Sequence, residues 1–269
     1  MGTVCVVGSL NIDLVTTVDT HPRPGETIRG TGLDRLPGGK GANQALAAAR
    51  AGARSVLCGR IGRDGTAYRD GLAQRGVDCA NVREAGTVSG HALIAVDAHG
   101  ENTIIVIPGA NAAMTEDEVA AHADVITSAD VLLLQLEIPM PAVVRAARLA
   151  RDAGVRVVLN PSPWSAPPAE LLAVADPVVV NEHEAEDLPA GTARSVCVTL
   201  GSKGARWGEL SAAAPDGMDV VDTTGAGDAF TGALAAALAA RADEGEALCR
   251  AVAAGTEAIG WPGAQGWQL

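Results

Sequence analysis

Aromatic residues make up only 2% of the 269-residue chain. A surface that stacks bases or rings needs aromatics, so their scarcity points instead to a core of Ala, Val and Leu with helices lying close against a sheet. Positive charge is also short, with 20 Lys and Arg against 32 Asp and Glu and a formal net charge of −12. Binding along a nucleic-acid backbone relies on Lys and Arg displacing counterions, which argues against nucleic acid as a partner. A small anion in a local amide-rich pocket is still compatible with such a field. There is no apolar run of about 18 residues and no basic leader before the first strand-like stretch, TVCVVG. The reading is a cytoplasmic chain with no membrane partner. Cys5, Cys58, Cys79, Cys197 and Cys249 lack CxxC spacing, so they read as free thiols, four of them in core-like surroundings. Internal repeats and a dividing linker are absent too.

What is present is 48% hydrophobic content in a rhythm. Apolar runs at Val4–Val7, Val131–Leu136, Val155–Leu159, Val178–Val180 and Val196–Leu200 alternate with Ala-rich segments of helical period. Runs without polar alternation suit a parallel sheet covered on both faces, and this predicts a three-layer α/β/α sandwich in one domain over residues 1–269. Two segments break the rhythm, at about 16–37 and 91–107. They predict a small antiparallel sheet standing off the main one as a lid.

The segment VVDTTGAGDAF, Val220–Phe230, reads as a strand end, a Gly-rich turn and a helix start. Backbone N–H groups of Gly225, Ala226 and Gly227 would form an anion hole there, with Asp228 in the first turn. Taken alone, such a turn is more often a tight connection with an Asp complementing the helix dipole. Agreement with polar residues at other strand ends favours a site: Asn11, Asp13, Glu137, Asn160, Asn181 and Thr199. A second Gly-rich helix start, PGGKGANQA at Pro37–Ala45, is not a Walker A loop, because Gly41 follows Lys40 where Ser or Thr is required. Its Asn43 and glycines suit hydrogen bonding to sugar hydroxyls.

These residues carry a resemblance. GSLNID (Gly8–Asp13), GGKGANQA (Gly38–Ala45), GAN (Gly109–Asn111), NPSP (Asn160–Pro163), NEHEAE (Asn181–Glu186), TLGSKG (Thr199–Gly204), DTTGAGDAF (Asp222–Phe230) and GAQ (Gly263–Gln265) follow the order of the PfkB carbohydrate kinase family. The resemblance implies a ribokinase-like fold and ATP-dependent phosphorylation of D-ribose at O5. Deoxyribose, fructose or adenosine are the alternative substrates, and an inactive sugar-binding protein is a distant one. It implies a sugar site of Asn11, Asp13, Gly39, Lys40, Gly41, Asn43 and Glu137, with Asp228 as base. Nucleotide contacts would come from Asn181, Thr199, Gly201, Ser202, Gly204 and Gly227. Glu184 would hold Mg2+ through water, and Asp222, Thr224, Ala258, Trp261 and Gly263 would hold a monovalent cation, with K+ as an activator. A homodimer joined through the lid is implied as well. The chain departs from the family by its shortness between Glu186 and Val196 and after Gln265. It also carries Gly266-Trp267 where Pro-Ser is usual, and Val252 where an Asn or His facing the nucleotide is expected.

Overall fold

A strand of Val and Leu buried on both faces needs apolar helices above and below it. The computed structural model, which describes residues 1–269, builds that arrangement. In chain order the strands are β1 (Thr3–Val7), β2 (Asn11–Thr17), β3 (Thr31–Gly38), β4 (Arg54–Ile61), β5 (Val77–Glu84), β6 (Gly90–Val96), β7 (Asn102–Ile107), β8 (Val131–Leu134), β9 (Arg156–Leu159), β10 (Val178–Asn181), β11 (Val196–Thr199), β12 (Ala205–Trp207) and β13 (Leu210–Ala212). The helices are α1 (Lys40–Arg50), α2 (Thr66–Gln74), α3 (Glu116–Ala120), α4 (Ala123–Thr127), α5 (Met140–Asp152), α6 (Ala169–Val174), α7 (Glu182–Asp187), α8 (Ala226–Ala239) and α9 (Glu244–Ala258).

The large sheet runs β13-β12-β11-β10-β9-β8-β1-β4-β5. It is parallel from β5 to β11 and ends in an antiparallel β12–β13 hairpin. Successive side chains of β1 part to opposite faces, as the strand period of two demands. Val4 and Val6 join Leu46 of α1, Leu72 of α2, Leu234 of α8 and Leu248 of α9 in one apolar cluster. Cys5 and Val7 join Val119 of α3, Ile126 of α4, Val143 of α5 and Leu171 of α6 in the other. Cys5, Cys58 and Cys197 are buried free thiols, whereas Cys79 is half-buried and Cys249 exposed. Between α7 and β11, where the chain is short, the backbone makes turns and no helix.

The lid is a four-stranded sheet of order β3-β2-β6-β7. It differs from the expected antiparallel sheet at its centre, because β2 pairs with β6 in parallel, flanked by antiparallel β2–β3 and β6–β7 pairs. The reason is topological: β2 leaves β1 after a short corner, while β6 enters from β5, so both run outward from the large sheet. The lid also starts at Asn11 rather than near Thr16. Asn11 and Asp13 therefore sit on its innermost strand, at its base.

Candidate active site

The corner between β1 and β2 lies against the start of α1, and glycine makes that contact possible. A Cβ on Gly39, whose φ is +88°, would stand 2.6 Å from the Asn11 amide nitrogen. A Cβ on Gly38 would collide with the Asp13 carboxylate, and one on Gly41 with the Ser9 amide nitrogen. The close approach lets Glu137, just beyond β8, accept from the Ser9 hydroxyl at 2.5 Å and from the Lys40 N–H at 2.9 Å. The Gly41 N–H donates to Ser9 Oγ at 3.2 Å. The Gly41 amide is thus engaged within the protein. Asn111 completes the corner, with its Oδ1 accepting from the Leu10 N–H and its Nδ2 donating to Leu10 O and to Asn11 Oδ1.

Asp228 enters from the opposite side, in the first turn of α8, and is 7% exposed. Helices α1 and α8 touch through small residues. A Cβ on Gly232, one turn beyond Asp228, would run into the Gln44 carbonyl oxygen and stand 2.6 Å from Ala47 Cβ. This proximity places two consecutive amides of α1 on the carboxylate: Asn43 Nδ2 donates to Oδ2 at 2.9 Å and Gln44 Nε2 to Oδ1 at 2.8 Å. Gln44 is held by Gln135 Nε2, 2.6 Å from its Oε1, and by Asn160 Oδ1 at 3.1 Å. Asn43 Oδ1 accepts from Gln265 Nε2 at 2.8 Å.

The turn before α8 has Gly225 in the left-handed region, φ +80°, with Ala264 packed where a Cβ would be. Of the three amides expected to bind an anion, Gly225 and Gly227 have no partner within the chain, while Ala226 N–H turns back to Thr223 O at 3.3 Å. Open space lies in front of Gly227. Two free N–H groups at a helix N terminus attract negative charge.

Electrostatically, Lys40 sits among carboxylates. The Asp228 charge, with Glu137 and Glu184 adding to it, raises the Lys40 ammonium above its usual range despite burial, which acts the other way. Asp13 is pushed up from 3.8 to about 7, first by burial and then by the charges of Glu137 and Asp228. Asp13, Lys40, Asn43, Glu137 and Asp228 therefore form one interacting group, and Glu184 links it to the far end.

That far end lies at the tips of β10 and β11, where Asn181 stands opposite Thr199 in register. Asn181 caps α7: its Oδ1 accepts from the Glu184 N–H at 2.8 Å, and Glu184 Oε2 accepts from the Asn181 N–H at 3.0 Å. Gly201 and Ser202 are exposed in the turn after β11, and Gly204, φ +95°, closes it. Asp222 joins two loops. Partial burial pushes its carboxyl up, but the N–H groups of Thr224 and Gly263, both 2.9 Å away, outweigh this and hold it below the usual carboxylate range. Val252, on the buried face of α9, is part of the core. A cavity of about 680 Å3 runs between α1, α8 and α9 and shares only Asn43 with the group around Asp228.

The model of the pfkB family carbohydrate kinases matches residues 1–268. The chain belongs to that family. The ribokinase of Haemophilus influenzae is 36% identical over 287 residues, covering 98% of this chain and 94% of that protein. The bifunctional ribokinase/ribose-5-phosphate isomerase A of Fructilactobacillus sanfranciscensis is 38% identical over 263 residues, covering 88% of this chain and 49% of that protein. The chain thus spans about half the length of this longer relative. Among solved structures, Arabidopsis thaliana ribokinase complexed with ribose and ATP superposes with a TM-score of 0.87 at 31% identity, covering 98% of this chain and 94% of that one. Asp13, Lys40, Asn43, Glu137 and Asp228 converge from the lid base, α1, the end of β8 and the start of α8, whereas Asn181, Thr199 and Gly201 follow β10 and β11. Gln44, Tyr68, Asn111 and Gln135 were absent from the residues proposed from sequence. Asn111 lies in a recognisable GAN segment and Gln44 in GANQ, but Tyr68 and Gln135 carry no local signal.

Proposed function

We propose that the chain transfers the γ-phosphoryl group of ATP to O5 of D-ribose. The observation that carries this reading is the Asp228 carboxylate, gripped by Asn43 and Gln44, beside the free Gly225 and Gly227 amides and facing the Asp13–Lys40–Glu137 group. Phosphoryl transfer needs alignment of the acceptor oxygen and neutralisation of charge rather than covalent chemistry from the protein. Asp228 accepts the hydrogen of the sugar hydroxyl, orients its lone pair towards phosphorus and takes the proton late, as the P–O bond forms. The Gly225 and Gly227 amides stabilise the charge on the transferring group. Lys40, between both halves, adds the cationic charge.

The donor sets fit the implied metals. Glu184 spends one oxygen on its helix cap and keeps Oε1 for a water of Mg2+, a hard cation that prefers oxygen and retains waters. Mg2+, when bound, screens the phosphate charge. Asp222 and the carbonyls of Thr224, Ala258, Trp261 and Gly263 offer only oxygens to a monovalent cation such as K+. Trp267, in the place of the family's Ser, points instead towards α2 and adds no ligand there.

The sugar side is rich in carboxylates, so it suits a neutral polyol and disfavours a sugar that already carries phosphate. Each buried polar group left without its hydroxyl costs about 1–3 kcal/mol. D-Ribose is therefore expected to exceed 2-deoxyribose, and few rings are available to stack the base of a nucleoside. The test is kcat/KM at saturating MgATP for D-ribose, 2-deoxyribose, fructose and adenosine, with and without K+. Deoxyribose or adenosine equal to ribose would overturn the assignment.

The lid supports a homodimer. All of β7 is exposed, with Ile104, Ile105, Val106 and Ile107 between 39% and 60% accessible on an unpaired edge. A long apolar edge strand is stable in water only when covered, and a second copy of the same edge can cover it.

A further inference from the structure

The buried polar chain behind Asp228 does not stop at Asn43. Gln265 is 1% exposed, and its Nε2 donates both to Asn43 Oδ1 at 2.8 Å and to the Tyr68 hydroxyl at 2.6 Å. Tyr68 in turn donates to Gly38 O at 2.7 Å, so its oxygen can only receive from Gln265. The remaining end of Gln265, Oε1, accepts from Trp267 Nε1 at 3.1 Å. Trp267 occupies a fitted slot. Its ring lies over Gly71 of α2, where a Cβ would come within 2.5 Å of it. The Arg75 guanidinium sits 3.9 Å from its centre, and Tyr68 packs against it at 5.9 Å. Beyond it, the Leu269 N–H is tied to Arg35 O of β3 at 3.0 Å.

An indole N–H donates and never accepts, whereas an amide presents an acceptor at one end and donors at the other. Facing Trp267, Gln265 must turn its oxygen to the indole and its NH2 to Asn43. Asn43 must then turn its oxygen to Gln265 and its NH2 to Asp228. We propose that Trp267 is a positioning residue for phosphoryl transfer, whose indole N–H sets the sense of the Gln265–Asn43 amide chain so that a donor rather than a carbonyl meets Asp228. A carbonyl at that point would leave Asp228 Oδ2 without its donor and set two acceptors against each other in a dry site. The inference rests on Asp228 as the base, and it assigns to this chain's Trp267 a role that the Pro-Ser of its relatives would have to fill differently.

The test uses the full chain with two substitutions and two readouts. Trp267→Phe keeps the packing and removes the donor. It should lower kcat on D-ribose about tenfold while KM for MgATP stays within about twofold of wild type. Gln265→Glu keeps the size but turns acceptors on Asn43, forcing it to rotate, and should lower kcat at least about a hundredfold. In parallel, the side-chain NH2 resonances of 15N-labelled Asn43 should shift in both variants. Wild-type kcat in both, or unmoved Asn43 resonances in Trp267→Phe, would overturn the proposal and leave Trp267 as a packing residue. If Trp267→Phe does not fold, Gln265→Glu decides by the same criteria. Failure of the substrate assignment shows separately, as absent turnover of ribose by the wild type, and the resonance shift then decides the role of Trp267.

Discussion

Asn43 and Asp228 lie 185 positions apart in the chain, yet their side chains meet at 2.9 Å across the contact of α1 with α8. In the proposed function, one belongs to the segment that faces the sugar and the other accepts the proton. Their bond makes substrate positioning and base orientation a single structural property.

Asp228→Asn tests that coupling. The carboxylate receives two donors, from Asn43 and Gln44, and an amide offers only one acceptor oxygen in return. The variant loses the proton acceptor and also sets an NH2 group against one of the two amides. Turnover should fall at least about a hundredfold, KM for ATP should hold, and KM for the sugar should rise a few-fold. Steady-state kinetics check this; a variant with more than a tenth of wild-type turnover removes Asp228 from its role.

Gly232→Ala addresses the spacing of the two helices. The added methyl group meets backbone of α1, which cannot yield as a flexible side chain would. Overpacking of this kind costs about 1–3 kcal/mol. A lower Tm and a reduced kcat are expected together, although residue 232 is buried and its new methyl group would lie against α1, not the substrate. Differential scanning calorimetry and kinetics on the same preparation read both.

The raised Asp13 carboxyl predicts a pH dependence of stability. With a folded value of about 7 against 3.8, the native state binds the proton more tightly than the unfolded chain. Its contribution is therefore greatest below about pH 4 and declines as pH rises to about 7. In Asp13→Asn this decline disappears, so the difference in Tm between variant and wild type should grow in the variant's favour from pH 5 to pH 8. A constant difference across that range would contradict the assignment.

The exposed β7 edge predicts assembly. Wild-type protein at micromolar concentration should sediment as a dimer, and Ile105→Lys, which charges a residue 60% accessible, should shift it to monomer with its fold retained. A wild-type monomer would leave the edge without its proposed cover.

The large sheet was legible in sequence because its strands are buried on both faces, which forces runs such as VLLL and VVV that no other element explains. The GAGD turn was legible because a left-handed residue and a helix start leave a compositional trace at Gly225. Tyr68 was not legible: in TAYRDG it looks like a surface helix residue, and only its fit beneath Trp267 and beside Gln265 gives it meaning. Gln135 continues an apolar strand run and reads as core until its partner Gln44 is known. The parallel pairing of β2 with β6 was also hidden, since strand direction within a small sheet depends on where the chain enters it. The turn of the Ala226 N–H back to Thr223 was not legible either, since nothing in the GAGD segment signals it.

The Asn111 anchor gives the lid a mechanical character. By holding the N–H and the C=O of Leu10 and the side chain of Asn11, it fixes the corner from which β2 departs, and β6 and β7 ride on β2. Any tilting of the lid must pivot there. At about 3.3 Å per residue, the seven residues of β2 form an arm of roughly 23 Å, so a rotation of about 10° would carry its far end by roughly 4 Å while Asn11 barely moves. The lever thus has its fulcrum at Asn11 and its travel at the rim: a tilt would leave the base in place while displacing the outer edge, with the β6–β7 turn at Asp97–Gly100.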